Sequence, residues 1–180
     1  MERKALELIK KHMSDFGDCL PGLEDFGNLI SDAVRQGIRV LNKIIELFEA
    51  ANIDVEIFKR QFNEKYIVDG DAIFNKDKTD LIKFEPSSDI TEYEIFCYVS
   101  SKAFIECKLE KIIVSNNVKG MGSEVFMNCR NLKEITFNNA ETRLDNNCFL
   151  GCSDALVIKA PVGGYIEEYA KQYNIIFESI

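Results

Sequence analysis

At 180 residues, 46% of them hydrophobic and 29% charged, the chain has the composition of an ordinary globular fold, which excludes a disordered one. Its net charge is −8, with 9 Lys+Arg against 11 Asp+Glu in residues 1–60 and 13 against 19 in the remainder, so neither part carries the basic footprint of nucleic-acid or anionic-lipid binding. No stretch is apolar enough to cross a bilayer, and Met1-Glu2-Arg3-Lys4-Ala5 opens no secretory leader. The chain as written is therefore expected in the cytoplasm, and at the surface or secreted if Met1 is not the natural start.

Leu6, Ile9, Met13 and Phe16 recur at helical spacing and predict a first helix that exposes Glu2, Lys4, Glu7, Lys10 and Lys11 and ends at Gly17. After Pro21-Gly22, the run Leu23, Phe26, Ile30, Val34, Gly37 or Ile38, Leu41, Ile45, Phe48 keeps a 3.6-residue beat. It predicts one long helix with Gly37 in its middle, at roughly 1 kcal/mol relative to alanine, where the glycine allows a close helix approach. Asp54 is the expected N-cap of a third helix, with Val55, Phe58 and Phe62 on one face. From Tyr66 the pattern changes to short β-rich runs at 66–68, 72–74, 81–84 and 91–96, with a turn at Pro86-Ser87-Ser88-Asp89.

Three segments then repeat one another. Phe104-x-x-Cys107, Phe126-x-x-Cys129 and Phe149-x-x-Cys152 are each followed by a short connector and by Ile112-Ile113-Val114, Ile135-Thr136-Phe137 or Ile158-Lys159-Ala160. Cys129 to Cys152, Leu132 to Ala155, Ile135 to Ile158 and Ile112 to Ile135 are all spaced by 23. The one step of 22, from Phe104 to Phe126, is explained by a residue missing between Cys107 and Leu109. A period in this range marks a solenoid of stacked coils in which equivalent side chains form inward columns. After the third repeat, Gly163-Gly164 releases the chain into a helix with Ile166, Tyr169, Ala170 and Tyr173 on one side, and Ile175-Ile176-Phe177 reads as a closing strand.

At these residues the chain resembles the BspA-type leucine-rich repeat, a bacterial repeat family whose unit is approximately Ala-Phe-x-x-Cys-x-x-Leu-x-x-Ile-x-Ile-Pro. Val118-Lys119-Gly120-Met121-Gly122 and Val99 match its lead-in, Leu144 sits where Met121 does, and Pro161 occupies the closing proline, which Ser115 and Asn138 replace in the other coils. Tyr66–Phe84 looks like the hairpin that often begins such arrays and Gly163–Phe177 like their end cap, so the resemblance covers about two thirds of the chain. The expected fold class is α+β: a short right-handed β-solenoid of leucine-rich repeats, residues 64–180, closed by a C-terminal helical cap. Residues 1–63 are expected to be a helical segment docked on its start, with a dimerisation or partner-binding module as the alternative.

Catalytic chemistry finds little footing. His12 is the single histidine, which leaves no metal set with Cys148-x-x-x-Cys152 and no Ser-His-Asp or Cys-His arrangement. Lys119-Gly120-Met121-Gly122-Ser123 lacks the G-K-[ST] of a phosphate loop, and Asp69, Asp71, Asp77 and Asp80 straddle a hairpin instead of forming a calcium loop. Cys107, Cys129 and Cys152 are expected as buried free thiols of the core. No catalytic, cofactor-binding or metal residue is assigned.

Strand alternation leaves the residues beside each buried Ile facing outward, giving Lys111, Ile113, Glu134, Thr136, Val157 and Lys159 as two exposed columns. The resemblance implies contacts with other proteins through such a face, with Ile113 and Val157 as anchors. The expected function is thus a non-catalytic protein-interaction module with no cofactor, an unidentified protein partner, no nucleic acid and no membrane insertion. The alternatives are a homo-oligomeric structural or adhesive subunit, and an enzyme with its site between the helices and the solenoid.

Overall fold

A computed structural model describes residues 2–13, 26–51, 55–86 and 90–180. Four helices come first: α1 (Glu2–Met13), α2 (Phe26–Gln36), α3 (Ile38–Ala50) and α4 (Glu56–Lys65). The strands follow as β1 (Tyr66–Asp69), β2 (Ala72–Asn75), β3 (Asp80–Phe84), β4 (Glu92–Ile95), β5 (Tyr98–Val99), β6 (Lys111–Val114), β7 (Gly120–Met121), β8 (Glu134–Phe137), β9 (Arg143–Leu144) and β10 (Val157–Ala160), then helix α5 (Tyr165–Gln172) and β11 (Ile176–Ser179). Of the sequence expectations, Phe16, Gly17, Pro21-Gly22, Leu23, Asp54 and the Ser87–Asp89 turn lie outside the described residues, as do the side chains of His12 and Met13.

The solenoid winds between two sheets. One runs β11-β10-β8-β6-β4 and is parallel throughout; the other runs β1-β2-β3-β5-β7-β9, antiparallel in its first three strands and parallel after them. Val99, Met121 and Leu144 stack through the short strands β5, β7 and β9, as the lead-in pattern predicts. A third ladder joins the Phe-x-x-Cys turns: Phe104 N–H donates to Val125 O at 3.0 Å, Glu106 to Met127 at 2.9 Å and Phe126 to Cys148 at 2.9 Å. Every coil is therefore hydrogen-bonded to the next on three sides.

The inward columns are those the repeat implies, lengthened at both ends. Phe104, Phe126 and Phe149 stack with centroids 5.3 and 5.4 Å apart, and Phe84 (4.7 Å from Phe104) and Tyr169 (6.2 Å from Phe149) close the column. One position is corrected. Ala155 is exposed, and Leu156, 2% accessible, fills the slot beneath Leu132. The connectors from Cys to Leu contain one, two and three residues in successive coils, and the extra residue is looped out because the large side chain, not the nominal count, wins the core.

The single long helix from Leu23 to Phe48 is also corrected. Gly37 has φ +111° and separates α2 from α3. This left-handed region favours glycine, and a Cβ would run into the Glu85 carboxylate. That carboxylate, 46 residues downstream of Arg39, accepts from the Arg39 backbone N–H at 3.2 Å in the first turn of α3 and pairs with Arg39 Nε at 3.2 Å, a favourable place for a negative charge. In α1 the inward residues are Ala5, with Leu8 and Ile9 partly buried, whereas Leu6 is 38% exposed; small Ala5 lets the helix approach closely on that side. Val55, Phe58 and Phe62 are buried together as expected.

The β2–β3 hairpin has two apolar faces. Ala72, Leu81 and Phe84 enter the solenoid core, while Ile73 is buried among the helices and Ile82 packs against them. Alternation separates Ala72 from Ile73, and the register shift between Ile73 and Phe74, which leaves Ile82 without a strand partner, brings Leu81 and Phe84 to the same face although they are three residues apart.

Two stability measurements check these corrections. Leu156→Ala should cost about 2–5 kcal/mol in urea denaturation, whereas Ala155→Ser should stay within about 0.5 kcal/mol. Gly37→Ala should cost about 1–2 kcal/mol or more, because a left-handed φ and a steric conflict coincide.

Candidate functional site

The parallel sheet brings all six predicted face residues together. Pairing sets Lys111 beside Glu134 and Glu134 beside Val157, and sets Ile113 beside Thr136 and Thr136 beside Lys159. Each is half-buried, while the intervening Ile112, Ile135 and Ile158 are fully buried. The two columns extend beyond the predicted residues. Glu92 pairs with Lys111 and Glu94 with Ile113 at the β4 edge, and Ile176 pairs with Val157 and Glu178 with Lys159 at the β11 edge. These four were missed because Glu92–Lys111 and Val157–Ile176 are 19 residues apart, outside the 23-residue frame. The Glu92-Tyr93-Glu94-Ile95 alternation was the available signal.

The chain matches the model of the BspA type leucine rich repeat region, in six copies, over residues 70–175. It belongs to the BspA-type leucine-rich repeat family. No curated protein matches the chain, and no solved structure does. In this BspA-type solenoid the six copies begin at the β1–β2 turn and run into the α5 cap, so the family frame takes in the leading strands and the end cap as well as the three repeats legible by eye. Repeats of this family typically serve protein interaction and are typically non-catalytic.

The charges on the BspA-type face are arranged as a ladder. Lys159 Nζ lies 2.8 Å from Glu134 Oε2 and 3.4 Å from Glu178 Oε2, and Lys111 Nζ reaches Glu134 Oε1 at 3.9 Å. The hydrogen bond from Lys159, with its charge and that of Lys111, holds the Glu134 carboxyl below its usual 4.5; Glu134 and then Glu178 hold Lys159 above its usual 10.5. Among the described residues Glu92 and Glu94 carry no ion pair, which leaves the β4 end of the face negative. Between the charges stand Ile113, Val157 and Ile176, the last 48% exposed. The Thr136 hydroxyl donates to Glu134 Oε1 at 3.5 Å, so it too is drawn into the ladder.

The other sequence candidates are used structurally. Asp69 pairs with Lys78 at 2.6 Å, Asp77 accepts from the Thr79 N–H at 3.1 Å, and Asp80 accepts from Asn75 at 3.1 Å, so the hairpin aspartates hold turns. Among the described residues no group of three His, Cys, Asp or Glu side chains could hold a metal ion, and no helix is long and apolar enough to cross a membrane. A cavity of about 590 Å³ does lie where the enzyme alternative places a site, lined by Gln36, Arg39, Lys83, Glu85, Cys107 and Glu110 among others. Its shifted basic group is Lys83, which burial draws below the usual lysine value.

The ladder's linkage has a definite sign. Glu134 is depressed, so its contribution is present above its usual 4.5 and lost as pH falls through its folded value. Lys159 is raised, so its contribution is present below its usual 10.5 and lost as pH rises through its folded value. Glu134→Gln should therefore lower stability slightly at neutral pH, the deficit shrinking in about 1 M salt and vanishing in acid, as read by urea denaturation across pH.

Proposed function

We propose that this chain is a non-catalytic protein-recognition module whose contact surface is the face of the parallel sheet, formed by Lys111, Ile113, Glu134, Thr136, Val157 and Lys159. The observation that carries the reading is the register itself, which sets these six side chains in two adjacent columns on one parallel sheet. Ile113, Val157 and Ile176 supply apolar anchors, and the unpaired Glu92 and Glu94 favour a partner segment that is apolar along its middle and basic at one end. Because the ladder charges already satisfy one another, affinity would come from the apolar anchors and selectivity from the β4 end.

In this reading residues 1–63 are a cap docked on the start of the solenoid domain, residues 64–180. Burial of Ile73 among the helices and the Arg39–Glu85 contacts support it; a solenoid needs its terminal coils covered. A self-associating subunit is the second reading, favoured by the unpaired edge of β11 beside the exposed Ile176 and Ile180.

Tagged co-purification from native lysate, run beside an Ile113→Arg, Thr136→Arg double variant with unchanged circular dichroism, tests the proposal. A partner recovered by the parent chain and lost by the variant is expected. Equal recovery by both would move the contact surface to residues 1–63. Mass rising with concentration in sedimentation equilibrium, and no heterologous partner, would establish self-association instead.

A further inference from the structure

Cys107, Cys129 and Cys152 occupy one position in successive coils, and stacking turns separations of 22 and 23 residues into neighbourhood. Cys107 Sγ lies 3.0 Å from Cys129 Sγ. Cys129 Sγ is also 3.0 Å from the Phe104 carbonyl, and Cys152 Sγ is 3.1 Å from that of Phe126. All three are free thiols. Adjoining coils are offset by about one strand spacing, ~4.8 Å, which falls within the ~4.4–6.8 Å between Cα atoms that a disulfide spans. The hydrogen bonds from Phe104 to Val125 and from Glu106 to Met127 hold this register around the first pair.

Access and surroundings together separate the three: Cys152 is half-buried and lines a cavity of about 230 Å³ whose lining, among the described residues, includes no cation. Cys129 is fully buried. Cys107, 7% exposed, lines both the 590 Å³ cavity and a second of about 300 Å³ beside it. Lys83 lines the larger of these cavities and is half-buried, and among the described residues its side chain has no hydrogen-bond or ion-pair partner. The hydrogen bond between the two thiols holds Cys107 below the usual thiol range; burial opposes this, and the Leu109 N–H and the Lys83 ammonium add to it. A thiol that is reachable, beside a cation and in contact with a second thiol has the surroundings of an oxidisable pair.

We propose that Cys107 and Cys129 form a dithiol oxidation site, in which Cys107 is the attacking thiol, Cys129 the resolving thiol, and hydrogen peroxide the oxidant. In the first step the Cys107 sulfur bonds to one peroxide oxygen and the O–O bond breaks; the departing hydroxide takes the thiol proton and leaves as water. In the second, the Cys129 sulfur attacks the Cys107 sulfenic sulfur, the S–O bond breaks, and the hydroxyl leaves with the Cys129 proton as a second water. Two thiols are oxidised to one disulfide and one peroxide is reduced to two waters. The product ties the first two repeat coils together through their interior and leaves Cys152 a thiol. This inference is independent of the sheet-face reading.

The reduced full-length chain, freed of reductant, is treated with one equivalent of hydrogen peroxide, blocked with iodoacetamide, and mapped by mass spectrometry without reduction. A peptide pair joined through Cys107 and Cys129 is expected as the first product, with loss of two thiols of six and full reversal by dithiothreitol. Cys129→Ser should stop at a Cys107 sulfenic acid that dimedone captures, Cys152→Ser should still form the cross-link, and Lys83→Met should slow it several-fold while leaving Cys97 unaffected. The map of the unaltered chain decides the matter even if a variant fails to fold. A first product joining any other pair, or Cys107 still open to alkylation after peroxide is consumed, would overturn the proposal.

Discussion

A single coil of this solenoid cannot bury its own apolar side chains, and every other feature follows from the need to stack the next coil upon it. Phe104 is covered by Phe84 and Tyr93 on one side and by Phe126 on the other. Columns of like residues meet this need because equivalent positions one strand spacing apart pack side chain on side chain. The ends of the array need different solutions. At the start, the column passes to Phe84, from a strand whose other face belongs to the helices, and to Tyr93 of β4. At the end, Tyr169 of α5 takes the place that a further coil's phenylalanine would fill.

Much of this was legible in the sequence for the same reason that it folds so. Repetition exposes columns, and columns are what the interior requires; Ile112, Ile135 and Ile158 could be placed from spacing, and Val99, Met121 and Leu144 from the resemblance of the lead-in. The connectors were not legible. Between Cys and Leu the chain runs through an outer corner where no column constrains it, and the residue count drifts from coil to coil. Ala155 holds the nominal position, yet Leu156 gains more by burial. Gly37 misled in a different way, since the apolar beat passes through it unbroken. What interrupts the helix is a carboxylate from far along the chain, and no local pattern announces Glu85.

The candidate face shows a similar boundary between the readable and the unreadable. Alternation around each buried isoleucine gave the orientation of Lys111, Ile113, Glu134, Thr136, Val157 and Lys159, and the strands carry them where alternation says. It did not reveal that Glu134 sits between two lysines, because cross-strand neighbours depend on register. Nor did the 23-residue period reach β4 and β11, whose partners lie 19 residues away. The edge strands belong to the capping elements, where the repeat gives way to the need to finish the array.

The hydrogen bonds that join the coils carry a kinetic consequence. Nearly every one of them closes a loop of little more than a single repeat, whether between strands or between Phe-x-x-Cys turns. The chain therefore meets the same modest closure entropy at each added coil instead of one large cost at the outset. Ordering can propagate from one coil to its neighbour, as in a one-dimensional lattice. The slowest contacts to form should then be those that break this rule, the hydrogen bonds of Arg39 to Glu85 and Pro86 across 46 and 47 residues, which join the helices to the array.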